Sequence, residues 1–172
     1  MSKYENIIPD NVQTNTFEYR SATIELEIDK PWGGHEPWEF FNKSTMASTN
    51  YSTPLPHTVG INSDIKLLVN RFDFIASWDV IAMTIKDYKI ESSLDGETWD
   101  TLYTGVIPNT KLYNVSCEFE PTICTQIRLV QLTTYDTRGY KWIQAGHFSI
   151  YAALAGPFLY TNRHAYGIRK KE

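Results

Sequence analysis

Cysteine is scarce: Cys117 and Cys124 are the only two in 172 residues. Their spacing fits neither a zinc-ligand pair nor a redox pair, so they read as two reduced or half-buried thiols, with a local disulfide as the alternative. A disulfide framework is not needed, because a chain of 19.9 kDa buries roughly 70% of the surface its unfolded form exposes. Long hydrophobic runs are also missing, and nothing approaches the roughly 18 apolar residues of a membrane span. Basic residues are not in excess. Lys and Arg number 16 against 20 Asp and Glu, a net charge of −4, which argues against a general phosphate-facing surface and a nucleic-acid partner. Met1 to Asn6 lack the basic and apolar regions of a signal peptide, so export by the general secretory route is not expected. Without that route the sequons at Asn42, Asn50 and Asn114 carry no weight.

Catalytic signatures are lacking as well. There is no Gly-x-Ser-x-Gly elbow, no His-Glu-x-x-His and no phosphate-cradling glycine loop. A nucleophilic pairing of Cys124 with a distant histidine is not required by any spacing. The expectation is a protein that is not an enzyme. No segment carries a helical stripe, and no repeat or low-complexity tract appears.

Aromatic residues are plentiful. They make up 14% of the chain, with five Trp and eleven Tyr. A small core absorbs fewer, so some rings are expected at a binding surface. Residues 1–16 are polar and read as a mobile arm or docking tail, residues 17–152 as the folded body, and residues 153–172 as a second tail. Thr23–Ile28 alternates apolar and polar positions, as a half-buried strand does. Lys30 to Pro56 carries four prolines together with Trp32, His35, Trp38, Phe40 and Phe41, and a loop that long is usually functional. Strand signals follow over Thr58–Asn62, Ile65–Ala76 and Ile81–Ser92. Asp95-Gly96 supplies a hairpin turn, and Thr98–Tyr103 returns. Tyr113–Phe119, Gln126–Thr133 and His147–Ala152 complete the set. Short strands between turn signals indicate an all-β sandwich or barrel.

The run Tyr88-Lys89-Ile90-Glu91-Ser92-Ser93-Leu94-Asp95-Gly96-Glu97-Thr98-Trp99 resembles the central signature of discoidin domains, the coagulation factor V/VIII C-type domains. Phe119-Glu120-Pro121 followed by Gln126-Ile127-Arg128-Leu129-Val130 is similar to a second family strand, and Phe148-Ser149-Ile150-Tyr151-Ala152 to its closing strand. The resemblance spans about residues 20–152. It implies a galactose-binding-like jelly-roll sandwich of about eight strands, with Trp99 in the core. It also implies ligand-binding loops at one end. The first carries Trp32, His35, Glu36 and Trp38, the second Trp78 and Asp79, and the third Tyr135, Arg138, Tyr140 and Trp142. Aromatic rings in such loops stack on sugars, while Arg and Asp bond hydroxyls or anionic groups.

Each candidate has a plainer reading. Trp38, Phe40 and Phe41 fit a core plug better than a site. His35 and His147 fit ordinary hydrogen-bonded histidines, and Arg71 with Asp73 fits a lateral pair on one strand. Many relatives hold a structural calcium. Here Phe41-Asn42-Lys43 and His147 stand where acidic ligands are expected, which weakens the case for that metal, and no other cofactor is expected. An Arg that sugar-binding relatives often carry is replaced by Ala76-Ser77-Trp78, so a strict galactose-type site is not supported.

These readings lead to a non-catalytic module that recognises a cell-surface glycan or glycoconjugate. The expected setting is a phage or other virion surface or tail, alongside other virion proteins, where weak sites act through multivalency. The rival is an assembly protein, cytoplasmic if it is an intracellular subunit, whose loops and tails contact other proteins and bind no sugar. Lipid binding through Trp32 and Trp78 is disfavoured by the acidic charge.

Overall fold

A computed structural model describes residues 4–29, 35–43, 46–48, 54–76, 85–135 and 143–155. They form an antiparallel jelly-roll sandwich. Nine strands appear among them: β1 (Glu5–Asn6), β2 (Thr16–Tyr19), β3 (Ala22–Ile28), β4 (Met46–Ser48), β5 (His57–Ala76), β6 (Asp87–Ser93), β7 (Asp100–Val106), β8 (Tyr113–Gln131) and β9 (Gln144–Leu154). One short helix, α1 (Pro37–Phe41), interrupts the long segment read as a loop.

β5 and β8 are long because each serves both layers. The first part of β5 pairs with β3 and with the second part of β8, and β6 and β7 extend that sheet. The second part of β5 pairs with β9 and with the first part of β8. Pairs expected as separate strands, Thr58–Asn62 with Ile65–Ala76 and Tyr113–Phe119 with Gln126–Thr133, are therefore single bent strands. Register shifts at Asn62/Leu67 and Val69/Arg71 make the bend. The second shift also changes which residues face inward: Leu67 and Val69 are buried before it, Phe72 and Phe74 after it. One extra residue exchanges the two faces of a strand, so the polar Asn70 marks the crossover.

The core lies between the layers. Ile24, Leu26, Val59, Ile61, Ile90 and Leu129 come from the first sheet, and Phe72, Phe74, Phe148 and Ile150 from the second. Phe74 meets Tyr88 across the gap with ring centroids 5.6 Å apart. Phe40 and Phe41 on α1 are fully buried against Phe148, so they plug the core as expected, with Trp38 half-buried beside them. Both cysteines are free and buried, and burial pushes their thiols up to about 11 for Cys117 and about 12 for Cys124. Neither is a nucleophile at neutral pH.

The first sixteen residues, read as an arm, are packed from Tyr4 onward. Glu5 and Asn6 pair with Ala152 and Tyr151, and Ile7, Ile8 and Val12 join the core. Three apolar residues in a polar stretch suffice to dock it. At the other end β9 runs on to Leu154, and residues 156–172 lie outside the described part.

The hairpin turn is held by its own polar groups. The Asp95 carboxylate accepts the backbone N–H groups of Glu97 and Thr98 at 2.9 and 2.8 Å, and Gly96 takes φ 79°. The Thr98 and Glu97 N–H groups, then the Ser93 hydroxyl, hold the Asp95 carboxyl down at about 2, from an ordinary 3.8. A depressed carboxylate stabilises the fold above its unfolded pKa and loses that contribution as pH falls through the folded value. The melting temperature is therefore expected to fall between pH 4 and 2, and Asp95→Asn to remove that part of the fall.

Candidate functional site

Strand register brings the described strand ends that flank the sequence-predicted loops to one end of the sandwich. Asp29 N–H donates to Thr58 O at 2.9 Å, so β3 ends beside the start of β5. Ala76, at the end of β5, pairs with Tyr113 and Ala145. Lys86 N–H donates to Thr133 O at 3.0 Å, and Ile107 N–H to Lys86 O at 2.9 Å. Segments 30–56, 77–86 and 132–143 thus all depart from the same end. The β5 bend and the Asp95 turn lie at the other.

Two of the eight predicted ligand residues are described. Tyr135 is half-buried at the base of the third loop. Its hydroxyl donates to Ile107 O at 2.8 Å, and the Lys86 ammonium stands 5.7 Å from its ring centroid. His35 is paired through Nδ1 with the Glu39 carboxylate one helical turn away, which matches the ordinary-histidine reading. Glu36 accepts from Asn15 Nδ2 at 2.8 Å. The described partners of His35 and Tyr135 share no residue. Trp32, Trp78, Asp79, Arg138, Tyr140 and Trp142 lie outside the described residues.

The outer sheet faces carry two polar clusters, of which the sequence indicates only the Arg71–Asp73 pair. On the second sheet, Arg71 donates to both Asp73 oxygens at 2.8 and 2.6 Å, the lateral pair expected, and its guanidinium lies 4.5 Å from the Tyr151 ring centroid. Clefts of 210 and 300 Å³ flank it, one lined by Asn114, Ser116 and His147, the other by Tyr4, Asn70 and Glu118. On the first sheet, Glu91 is buried to 4% exposure yet faces outward. Arg128 donates to its Oε2 at 3.1 and 2.8 Å, and Lys89 pairs with its Oε1. Bonds from Lys89 and Arg128 overcome the upward push of burial and hold the Glu91 carboxyl below its ordinary range. The Trp99 ring covers this group, its centroid 3.4 Å from the Arg128 guanidinium carbon, and its Nε1–H donates to Gly96 O at 3.1 Å. Trp99 is therefore not a core residue, as its signature position implied. It is half-buried on the outer face, a cation–π lid over a buried carboxylate. Alternation shows this signal: with Tyr88 and Ile90 inward, Lys89 and Glu91 must point out.

The calcium that the resemblance implies does not fit the described residues. No group of three or more His, Cys, Asp or Glu gathers among them. Where the first loop meets β9, the Lys43 ammonium donates to His147 O at 3.1 Å, to Phe148 O at 3.3 Å and to the Ser149 hydroxyl. A divalent cation would be repelled by that ammonium, and the three described oxygens around it fall short of the six to eight calcium takes.

No family model matches the sequence, and neither does any curated protein. The fold matches solved structures. A family 32 carbohydrate-binding module of NanJ from Clostridium perfringens, in complex with galactose, aligns with TM-score 0.62 at 14% identity, over 74% of this chain and 93% of that one. A second C. perfringens module, CpGH89CBM32-5 in complex with GalNAc-β-1,3-galactose, aligns with TM-score 0.61 at 17% identity, over 74% and 94%. The family 32 module of AlyQ, in complex with 4,5-unsaturated mannuronic acid, gives TM-score 0.56 at 17% identity, over 78% and 96%. The likeness defines the fold, a galactose-binding-like β-sandwich. Its likeness to carbohydrate-binding modules covers nearly their whole length.

Proposed function

We propose that the protein is a non-catalytic carbohydrate-binding module whose ligand sits on the loops at the Tyr135 end of the sandwich. The observation that carries this reading is the anchoring of Tyr135. One hydrogen bond and a neighbouring ammonium fix its ring where the third loop departs, and that loop carries Arg138, Tyr140 and Trp142. An aromatic ring held rigidly beside cationic and polar groups suits the faces and hydroxyls of a sugar. The galactosides and the unsaturated uronate bound by structural neighbours support a glycan of either kind. The proposal extends to a virion surface as setting, where many weak sites act together. Detection of the chain in purified particles by mass spectrometry checks that part.

Binding to a broad glycan panel, with and without calcium, tests the site. Wild type is expected to bind members of the panel. Trp142→Ala and Arg138→Ala are each expected to weaken binding by about tenfold or more, the loss of one good contact. Tyr135→Phe keeps the ring but drops the bond to Ile107 O, and is expected to weaken binding less. A second reading rests on the same end of the molecule, where Val106, Leu112 and Leu132 are exposed at 65%, 51% and 41%. Apolar side chains gathered there suit a protein partner in an assembly. Silence across the panel would favour that reading.

A further inference from the structure

Three oxygens from successive residues of β9 converge on one point. In a regular strand successive carbonyls point to opposite sides, so the carbonyls of His147 and Phe148 cannot share a donor without a kink. The kink is present. His147 takes φ 56°, a left-handed conformation that costs a non-glycine residue, opposite the register shift between Asp73 and Ile75. With the Ser149 hydroxyl, the two carbonyls form a cradle of oxygen acceptors. An ammonium offers three N–H donors and no acceptor, which matches the cradle bond for bond.

Lys43 supplies that ammonium from the segment following α1. Its own backbone N–H donates to Asp10 O at 2.8 Å. One residue thus ties the docked N-terminal segment, the end of α1 and β9 together. Burial lowers the pKa of its side chain, while the Asp10 and Asp73 carboxylates oppose that fall. Asp73 is in turn held by Arg71, so the cation belongs to the polar array on the outer face of the second sheet.

We propose that Lys43 is a covalently attached structural cation: its ammonium fills an oxygen cradle built by the kinked β9, pins α1 to the second sheet, and makes the fold independent of calcium. The cost of the kink is offset by the hydrogen bonds to the charged group. Lys43→Met keeps the length and apolar stem of the side chain but leaves the oxygens without their donor.

Thermal unfolding of the full chain, in millimolar calcium and in chelator, tests the proposal together with Lys43→Met. Wild type is expected to melt at the same temperature in both buffers, and Lys43→Met about 5 °C lower. A rise in the wild-type melting temperature on adding calcium overturns the proposal. So does a Lys43→Met melting temperature within about 1 °C of wild type. If that variant does not fold, the proton–nitrogen correlation spectrum of the wild-type lysine side chains decides. A protected Lys43 ammonium gives a resolved signal at neutral pH, and its absence counts against the cradle.

Discussion

Phe148→Ala is expected to lower stability by about 4 kcal/mol and the melting temperature by about 10 °C or more. Phe148 is fully buried and touches four other rings, with centroid distances of 6.1 Å to Phe40, 5.4 Å to Phe41, 5.6 Å to Phe72 and 5.3 Å to Phe74. Those rings come from α1 and β5, and Phe148 from β9. Truncation therefore opens a cavity where three elements meet, and neither β5 nor β9, each paired on both edges, can close it without breaking a ladder. α1 is one turn of helix and too short to persist without its packing, so loss of Phe148 also frees the segment that carries Lys43. Urea unfolding checks the magnitude. Phe148→Leu, which refills most of the volume, should recover more than half of it. A cost below about 2 kcal/mol for Phe148→Ala would show that the rings repack without their centre.

The parts of this fold that were legible in the sequence are those whose cause is local. Alternation over Thr23–Ile28 predicts β3 because one face of it meets only core. Asp95-Gly96 predicts a turn because the carboxylate and the φ 79° of Gly96 close it without help from elsewhere. What local pattern could not show was decided by partners. Ser63 and Asp64 look like a break, yet β5 passes through them, because β3 and β8 on one side and β8 and β9 on the other hold both halves. The resemblance implies Trp99 in the core, yet the partner that claims its ring is a charged residue on the outer face. Ile7, Ile8 and Val12 were visible as apolar residues, but no periodicity marks a segment whose pairing is two residues long. For the candidate site, the sequence proposes Tyr135 by its loop, while its anchor on Ile107 is not visible there, because the two are joined only by the fold.

Gly60→Ala is expected to be nearly as damaging as Gly60→Val, each lowering stability by about 3 kcal/mol or more. This reverses the usual order, since an ordinary strand position prefers Ala and Val to Gly. The reason is space: a Cβ at position 60 would lie 2.4 Å from Ile127 O and 2.7 Å from Arg128 Cβ. The first is backbone and cannot step aside without breaking the β5–β8 ladder, in which Gly60 pairs with Arg128. The second belongs to a side chain already committed on two sides, to Glu91 through Nε and Nη2 and to the Trp99 ring at 3.4 Å. Displacing Arg128 leaves Glu91, at 4% exposure, with Lys89 alone to offset its burial. The collision begins at the first carbon of any side chain, so the two substitutions should share most of their cost. Chemical unfolding of both variants measures the cost, and near-ultraviolet circular dichroism reports whether Trp99 has left the guanidinium. A Gly60→Val protein at least as stable as wild type would mean that β5 and β8 stand further apart than this packing requires, and that Arg128 is free to move.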